Sequence, residues 1–401
     1  MESNRAASAP AGEKVPRMAP AASGDDPAGA NTKFATRGFR LPLELKKLDW
    51  RHLAGCLFSE PCKTFDSSLK SEIMNQLTGT VLSGSNNVFD VESFSEEDGS
   101  FIVRSCALKS KRLKSDRKYY NPLAPGDIVE IELDSLEDKK GQITALVPRK
   151  NEFVRWNVKG RSPQLLAANL DYIILVTTPG EPDFRPRFID RELAQAERQG
   201  IEPLILINKC DLPSAQDIDF LNQVSIWESL GYKVMKISAK TGEGMVEFAN
   251  LIQNKLSALV GQSGVGKSSL VNVLDNTVVL KTGSLSKKYG KGSHTTTKGT
   301  LLHIKLNESL TGGIHGPVAS IIDTPGVRRF VLHGIESNEL ALYFREMAPL
   351  VGKCNFGMSC THTSEPGCKI LEAVYSGVIS EERFDSWKRI SEEIKTGNWA
   401  D

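Results

Sequence analysis

A glycine-rich stretch that ends in lysine and serine, GQSGVGKS, occupies residues 261–268. It follows an apolar run and precedes the helical pattern SLVNVL, which is the usual setting of a phosphate-binding loop. Glycines let backbone N–H groups turn toward phosphates, and the N-terminus of the following helix adds a partial positive charge. Lys267 is expected to reach the β- and γ-phosphates of a nucleotide, and the Ser268 hydroxyl to bind Mg²⁺.

A second pair of motifs suits recognition of a purine base. NKCD at 208–211 ends the apolar run LILIN, and SAK at 238–240 follows the next apolar run. The Asp211 carboxylate can accept hydrogen bonds from N1–H and the 2-amino group of guanine, and adenine offers neither donor. A site built for two such bonds strongly rejects the analogue that lacks them. With Lys209 along the base plane and the Ala239 N–H near guanine O6, the pair predicts GTP rather than ATP.

Two further motifs are expected to respond to the third phosphate. DTPG at 323–326 fits the pattern D-x-x-G, in which Asp323 holds Mg²⁺ through water and the Gly326 N–H contacts the γ-phosphate. HTTT at 294–297 lies between the two phosphate motifs, and Thr296 is expected to complete the Mg²⁺ shell beside Ser268 and Asp323. The predicted nucleotide-binding residues are Asn208, Lys209, Asp211, Ser238, Ala239, Lys240, Gly261, Gln262, Ser263, Gly264, Val265, Gly266, Lys267, Ser268, Ser269 and Gly326.

The order of these motifs is unusual. Most GTPases place the phosphate loop first, then the threonine switch, D-x-x-G, NKxD and SAK, whereas this chain begins with NKxD and SAK. All five elements are present in a rotated order, as in a circular permutation, which can preserve the sheet because domain termini often lie close together. With that order the chain resembles the RsgA (YjeQ) family of circularly permuted GTPases over about residues 76–395, on the motifs GQSGVGKSSL, HTTT, IIDTPGVR and THTSEPGC.

The resemblance implies an α/β fold: a circularly permuted P-loop GTPase domain flanked by an N-terminal OB-type β-barrel and a C-terminal zinc-binding helical domain. It also implies a GTP hydrolase that assists maturation of the small ribosomal subunit, with the flanking domains gripping ribosomal RNA of the 16S type while GTP hydrolysis times release. GTP, GDP and the small subunit are then the expected partners of a chain that is expected to be a monomer.

One position departs from ordinary GTPases. Val327 follows Gly326, where Ras-type enzymes place the glutamine that orients the attacking water. A valine cannot do this, so hydrolysis is expected to be slow until another group positions the water. His294 is the local candidate for that role beside Lys267, and the family resemblance points to the same histidine. The alternative is a switch-loop histidine that contacts RNA or solvent.

Three cysteines and one histidine cluster near the C-terminal end of the sequence. Cys354, Cys360, His362 and Cys368 supply a Cys₃His set, sufficient to close a tetrahedral structural zinc site. The alternative is a group of reduced core cysteines. In the family the first interval is usually four residues, and here it is five.

The surrounding elements suit these roles. Apolar runs between about 165 and 333 alternate with helical stretches, which is typical of a doubly wound parallel sheet. Short alternating stretches between 76 and 156 are separated by turn residues and predict a small barrel. A basic run between two of its strands suggests contacts with RNA phosphates, with a solvated loop as the alternative. Its members are Lys109, Lys111, Arg112, Lys114, Arg117 and Lys118.

Composition narrows the class of protein further. The formal net charge of +1 provides no global attraction to nucleic acid, so a basic surface must be local. No run of eighteen apolar residues exists, which argues against a membrane span. The clustered, odd number of cysteines predicts a reducing compartment. The predicted domains are a disordered extension at 1–32, an unassigned segment at 33–75, the barrel at 76–156, the permuted GTPase at 157–333 and the zinc-binding domain at 334–401.

The activity and the cellular compartment both stay open at this stage. The leading hypothesis is a ribosome-stimulated GTPase, and the alternative is a GTP-gated RNA-binding module with incidental hydrolysis; a third is a permuted GTPase serving another RNA or transport target. The Ala-, Pro- and Ser-rich extension favours a plastid or mitochondrion with bacterial-type ribosomes, with a bacterial cytoplasm as the alternative.

Overall fold

The computed structural model describes residues 77–85, 87–96, 98–109, 119–278, 299–312, 316–324 and 330–399. All of them belong to one compact unit that spans residues 66–401. The extension at 1–32 and the segment at 33–75 lie outside the described residues.

The first five strands form a closed barrel in the order β1-β2-β3-β5-β4. Alternate side chains of β2 are buried, as expected for strands that enclose a small core, and Val81, Phe89 and Val129 are among the residues of that core. The barrel strands are β1 Leu77–Ser85, β2 Val88–Ser95, β3 Ser100–Leu108, β4 Ile128–Leu133 and β5 Lys140–Leu146. The closed barrel confirms the predicted OB-type element in architecture.

The barrel is shorter than the sequence predicts. It closes at Leu146, whereas the alternating pattern suggested strands up to residue 156. The next strand, β6 (Glu152–Asn157), pairs instead with β7 (Ser162–Ala168) in a separate antiparallel hairpin. Phe153 and Val154 of β6 are both buried, and Phe153 stacks on Phe330 with ring centroids 5.6 Å apart, so this strand packs on the later domain.

A six-stranded sheet follows in the order β10-β9-β8-β11-β13-β12. Every neighbouring pair is parallel except β12 and β13. Its strands are β8 Tyr172–Thr177, β9 Glu202–Ile207, β10 Lys233–Lys236, β11 Leu256–Gly261, β12 Thr300–Lys305 and β13 Val318–Asp323. The central strands are almost continuously buried because helices cover both faces, which explains their unbroken apolar runs.

In the described part of the chain, four helices connect these strands: α1 Pro186–Gln199, α2 Ile218–Ser229, α3 Met245–Ile252 and α4 Lys267–Leu274. Helix α1 begins with proline in its first turn and ends at Gly200, whose φ of 62° closes the helix in the left-handed conformation. The chain moves outward from β8 to β10 and then returns to β11 beside β8. The strand order therefore reverses at β8 and β11, and ligands of open α/β sheets bind at such a switch point.

The C-terminal region contains two helices, α5 Lys369–Tyr375 and α6 Glu381–Thr396, preceded by short 3₁₀ turns. The Ser380 hydroxyl caps α6 by accepting from the Arg383 N–H at 3.3 Å. Arg383 is fully buried and forms ion pairs with Asp190 of α1 and with Glu346. One apolar core is shared between this region and the sheet. Among the described residues, none of the helices has the length and apolar character needed to cross a membrane.

Candidate functional site

The predicted nucleotide motifs meet at one edge of the sheet. NKCD follows β9, SAK follows β10, the phosphate loop (residues 261–268) follows β11, and DTPG begins at the end of β13. These four strands are parallel to one another within the sheet, so their carboxyl ends lie on the same side. The permuted chain thus brings together motifs that are scattered between residues 208 and 324.

At two positions of the phosphate loop, only glycine fits, because there is no room for a Cβ atom. A Cβ at Gly266, where φ is 96°, would lie 2.3 Å from Asn208 Nδ2. A Cβ at Gly261 would lie 2.3 Å from the Val176 carbonyl oxygen. The tips of the loop, Ser263 and Gly264, are exposed, whereas Val265 is buried and anchors it. Gln262, Ser268 and Ser269 are partly exposed along the same loop and the first turn of α4.

Lys267 lies inside this loop, with only 8% of the residue exposed. Its Nζ donates to the Gly261 and Gln262 carbonyls at 2.7 and 2.9 Å, which folds the side chain back along the loop. Burial lowers the pKa of the Lys267 ammonium, and the negative charges of Asp323 and Glu192 oppose that effect. Bound phosphates would therefore replace these two backbone carbonyls as the hydrogen-bond partners of Lys267.

Asp323 ends β13, and its charge interacts with that of Lys267. Burial raises the pKa of its carboxyl to about 7, and the Lys267 charge lowers it in turn. The neighbouring Thr324 donates from Oγ1 to the Leu259 carbonyl at 2.7 Å, which ties the start of DTPG to β11. A buried carboxyl at this place suits a cation, because Mg²⁺ prefers oxygen ligands and would compete with the proton.

Asn208 joins the base-binding motifs to the phosphate loop. It is 1% exposed, and its Nδ2 donates to the Val265 carbonyl at 2.8 Å. Its Oδ1 accepts from the Ala239 N–H at 3.0 Å. The Ala239 N–H, predicted to contact guanine O6, therefore already has an acceptor inside the protein, so a base contact would share this donor. Asn208 acts as a brace between three loops.

Asp211 is held in a fixed orientation at the mouth of the site. Its Oδ1 accepts from the Ser238 hydroxyl at 2.7 Å, and the exposed Lys240 Nζ lies 3.5 Å from Oδ2. The Ser238 hydrogen bond is the main reason that the pKa of this carboxyl is lowered. Lys209, with φ of 65°, reaches across and donates to the Glu181 carbonyl at 2.6 Å. An ionised, oriented Asp211 can accept two hydrogen bonds from one base edge.

Several predicted residues lie outside the part of the chain that the structure describes. They are His294, Thr296 and Gly326 of the switch segments, and Lys111, Arg112, Lys114, Arg117 and Lys118 of the basic run. Lys109, the first residue of that run, is described: it is exposed on the barrel and forms an ion pair with Glu132.

The Cys₃His residues converge on one buried point. The ligand atoms of Cys354, Cys360, His362 and Cys368 all lie within 4.8 Å of one another, and all four residues are buried. The Cys354 and Cys368 sulfurs are 3.8 Å apart, and His362 Nδ1 lies 3.6 and 3.3 Å from them. Zinc–sulfur and zinc–nitrogen bonds of about 2.3 and 2.0 Å give tetrahedral edges of about 3.5–3.8 Å. The four residues fit one closed zinc site, and the longer first interval is accommodated by a 3₁₀ turn at Gly357–Ser359.

A set of contacts that the sequence did not suggest holds the segment leaving DTPG. Helix α1 clamps it: Arg191 Nη1 donates to the Phe330 carbonyl at 3.2 Å, and the side-chain amide of Gln195 donates to the His333 carbonyl and accepts from the His333 N–H. On the other side, the Trp156 N–H donates to the Val331 carbonyl at 3.0 Å. The exit from the switch is therefore fixed between α1 and the β6–β7 hairpin from residue 330 onward.

Helix α1 also carries a residue of the site that sequence reasoning missed. Glu192 is completely buried, and its charge interacts with Lys267. The available signal was helical spacing: Glu192 lies four residues from both Phe188 and Ala196, which places a charge on the apolar face of α1.

The parallel sheet, the phosphate loop and the order of the motifs define a circularly permuted P-loop GTPase. A family model described as RsgA GTPase matches residues 146–333. The small ribosomal subunit biogenesis GTPase RsgA of Borrelia recurrentis is 36% identical over 322 residues, covering 80% of this chain and 96% of the relative. The protein of the same name from Flavobacterium psychrophilum is 34% identical, with coverage of 79% and 93%. This chain belongs to the RsgA GTPase family.

Solved structures agree with that assignment. The crystal structure of YjeQ from Thermotoga maritima is 32% identical, covers 80% of this chain and 98% of that one, and gives a TM-score of 0.57. The structure of YloQ, described as a circularly permuted GTPase, is 26% identical with coverage of 81% and 97% and a TM-score of 0.56. The fold predicted from the motif order is thereby confirmed.

Proposed function

We propose that this GTPase binds the small ribosomal subunit and hydrolyses GTP to time a late step of its maturation. The relatives that cover most of this chain are named small ribosomal subunit biogenesis GTPases. The observation that carries the nucleotide part is the meeting of four motifs at one sheet edge, braced by Asn208.

Guanine is selected by Asp211. The carboxylate is oriented by Ser238 and kept ionised, so it accepts from N1–H and the 2-amino group together. Adenine would leave both acceptor positions without a donor, and such a loss costs much more than the loss of an apolar contact. Lys209 and Lys240 flank the base plane.

In this proposal the loop at 261–268 and Lys267 hold the phosphates during hydrolysis, and Ser268, Thr296 and Asp323 would hold Mg²⁺. When bound, Mg²⁺ would neutralise charge that develops on the β- and γ-phosphates. Because Val327 cannot orient water, we assign that task to His294, and turnover without the ribosome is slow.

Binding to ribosomal RNA of the 16S type involves the barrel and the zinc-binding domain, with the basic run beginning at Lys109 contacting phosphates. The protein acts as a monomer in a compartment with bacterial-type ribosomes, for which a plastid or mitochondrion is favoured over a bacterial cytoplasm. Zinc has a structural role, since its four ligand positions are all taken by the chain.

The nucleotide state is transmitted to the C-terminal domain along the segment that follows DTPG. That segment is clamped on α1 from Phe330 onward, and α1 is ion-paired to α6 through Arg191 and Glu393 at 2.7 Å. A change at the γ-phosphate would therefore pass through α1 rather than through a free connector. The alternative, in which only the threonine switch signals, leaves this clamp without effect on turnover.

The first experiment measures GTP turnover with and without purified bacterial-type small subunits, with ATP as the control nucleotide. Lys267→Ala and His294→Ala are compared with wild type and with Lys233→Ala, which removes an exposed lysine at the start of β10. We expect strong stimulation by subunits, a loss in the first two variants and no change in the third.

Two other results would redirect the proposal. Stimulation that survives His294→Ala assigns water positioning to another group, such as RNA. Tight GTP-dependent binding to subunits without stimulated turnover would instead support a GTP-gated RNA-binding module in which hydrolysis is incidental.

A further inference from the structure

Glu192 is the most unusual ionisable group of the described chain. It lies in the middle of α1, it is 0% exposed, and neither of its carboxyl oxygens has a hydrogen-bond partner. Its neighbours one helical turn away, Phe188, Ile189 and Ala196, are buried and apolar. An ionised carboxylate in such a place is strongly disfavoured, and a group of this kind usually takes up a proton instead.

The position of Glu192 links it to the phosphate loop. Helix α1 joins β8 to β9 and packs on both, and β8 is the neighbour of β11, which leads into the loop. The charges that act on Glu192 are Lys267, at the start of α4, and Arg191 of α1 itself. Arg191 is already committed to Glu393 at 2.7 Å. Lys267 is thus the cation available to compensate a negative charge on Glu192.

Lys267 serves two buried carboxyls at once. Asp323 interacts with it from the end of β13, and Glu192 interacts with it from α1. One ammonium cannot neutralise two carboxylates, and neither oxygen of Glu192 has a hydrogen-bond partner that would stabilise its charge. Burial raises the pKa of Glu192 to about 8, even with Lys267 opposing that effect.

We propose that Glu192 is a positioning residue that acts through Lys267, so that engagement of nucleotide phosphates by the lysine is linked to uptake of a proton by the Glu192 carboxyl. The proposal rests on the guanine nucleotide site proposed above. When phosphates become the partners of Lys267, Glu192 loses part of its compensating charge and lies near added negative charge. Its carboxylate then takes a proton from solvent and becomes a neutral carboxylic acid.

The sign of the linkage follows from these charges. Bound phosphates raise the pKa of Glu192 above its value in the free protein, so the bound state holds the extra proton above pH 8. The affinity for the nucleotide is therefore greatest below pH 8 and falls as the pH rises through that value. Linkage with a free-state pKa near 8 predicts about tenfold weaker binding at pH 9 than at pH 7.

The test measures the Kd of the full-length protein for a fluorescent GDP analogue between pH 6.5 and 9, below the range in which guanine N1–H is mostly ionised, at constant Mg²⁺ and ionic strength. Glu192→Gln mimics the protonated acid without a titrating group. We expect it to match wild type at pH 7 and to bind about tenfold more tightly than wild type at pH 9, because its affinity stays flat. Glu192→Asp keeps a carboxyl and should keep the pH dependence.

Glu202→Gln is the matched control. It removes one carboxylate from the same domain at the exposed start of β9, far along the strand from NKCD, and should follow the wild-type curve. A Glu192→Gln curve that falls like wild type overturns the proposal. A fall displaced to lower pH in Glu192→Gln also overturns it, since it would identify Lys267 as the titrating group. If wild type fails to bind the GDP analogue at any pH, the nucleotide site itself is wrong.

Discussion

The candidate metal centre takes all four of its possible ligands from residues 354–368, whereas the candidate nucleotide site takes its groups from the ends of four strands between residues 208 and 324. The first is closed by a 3₁₀ turn and a short loop, in which the Glu365 carboxylate accepts from the Thr361 and Thr363 N–H groups at 2.7 and 2.9 Å. The second exists only when the whole sheet is formed. A local site and an assembled site therefore differ in what can destroy them.

The two regions also differ in their braces. Metal binding itself would supply the stabilisation of the local site, because ligands that lie close together in the chain contribute little without the ion. The assembled site is braced by side chains, chiefly Asn208, which spans 57 residues of sequence to reach Val265. Variants that remove one kind of brace should leave the other site intact.

The largest effect is expected from breaking the metal centre. Cys368→Ser removes one ligand at the N-cap position that precedes α5, so zinc should be lost and the C-terminal region should unfold at a temperature several degrees lower. Metal content by atomic absorption and thermal unfolding measure this, with GDP affinity measured in parallel. Cys210→Ser, a cysteine outside the cluster, should retain the metal. Full zinc content in Cys368→Ser would contradict the assignment of the four ligands.

The features that could be predicted from the sequence divide in the same way, into local patterns and contacts between distant segments. The spacing from Cys354 to Cys368 and the loop at 261–268 are local patterns, so their types and spacing were enough to predict a metal centre and a phosphate loop. The permuted order also predicted the sheet, because each motif must follow a parallel strand. The end of the barrel at Leu146 was not predicted, because the apolar residues of β6 indicate a buried strand without showing whether it packs in the barrel or on Phe330.

Contacts between distant segments were beyond sequence reasoning. The pattern NKxD indicates a base-binding motif, but nothing in four residues shows that Asn208 bridges Val265 and Ala239. The helical spacing places Glu192 on the apolar face of α1, but it does not show that the carboxyl is fully buried without a hydrogen-bond partner. The clamp of α1 on residues 330–334 joins segments more than 130 positions apart.

The next effect tests the specificity of the assembled site. Asp211→Asn exchanges a double acceptor for a group with one acceptor and one donor, so GTP affinity should fall about 100-fold, as for the loss of two hydrogen bonds to a charged group. Xanthosine triphosphate, which has an oxygen in place of the 2-amino group, should gain affinity. Equilibrium binding of both nucleotides measures this, and Asp217→Asn, at an exposed position beyond the motif, is the control. Unchanged GTP binding would show that Asp211 does not contact the base.

A smaller effect is expected from removing the brace. Asn208→Ala leaves the buried Val265 carbonyl without its side-chain donor and the Ala239 N–H without its acceptor, which should lower the free energy of unfolding by about 1–3 kcal/mol. GDP affinity should fall about tenfold, as for a loss of about 1.4 kcal/mol, while zinc content stays unchanged. Asn208→Asp keeps the acceptor for Ala239 but places a second oxygen against the buried Val265 carbonyl, so it should be destabilised at least as much as Asn208→Ala. Loss of zinc in Asn208→Ala would show that the two regions are not independent.

The smallest effect concerns the link between the two regions, which is α1. Gln195→Ala removes both hydrogen bonds to His333 without touching the nucleotide or the metal ligands. If the clamp transmits the nucleotide state, subunit-stimulated GTP turnover should fall a few-fold while GDP affinity and zinc content stay at wild-type values. Gln199→Ala, one turn further along, breaks contacts with Val154 of the hairpin instead and controls for general loosening of the helix. Equal losses in both variants would mean that α1 serves only as a rigid support, because a transmitting clamp requires the effect to be specific to the segment that leaves the switch.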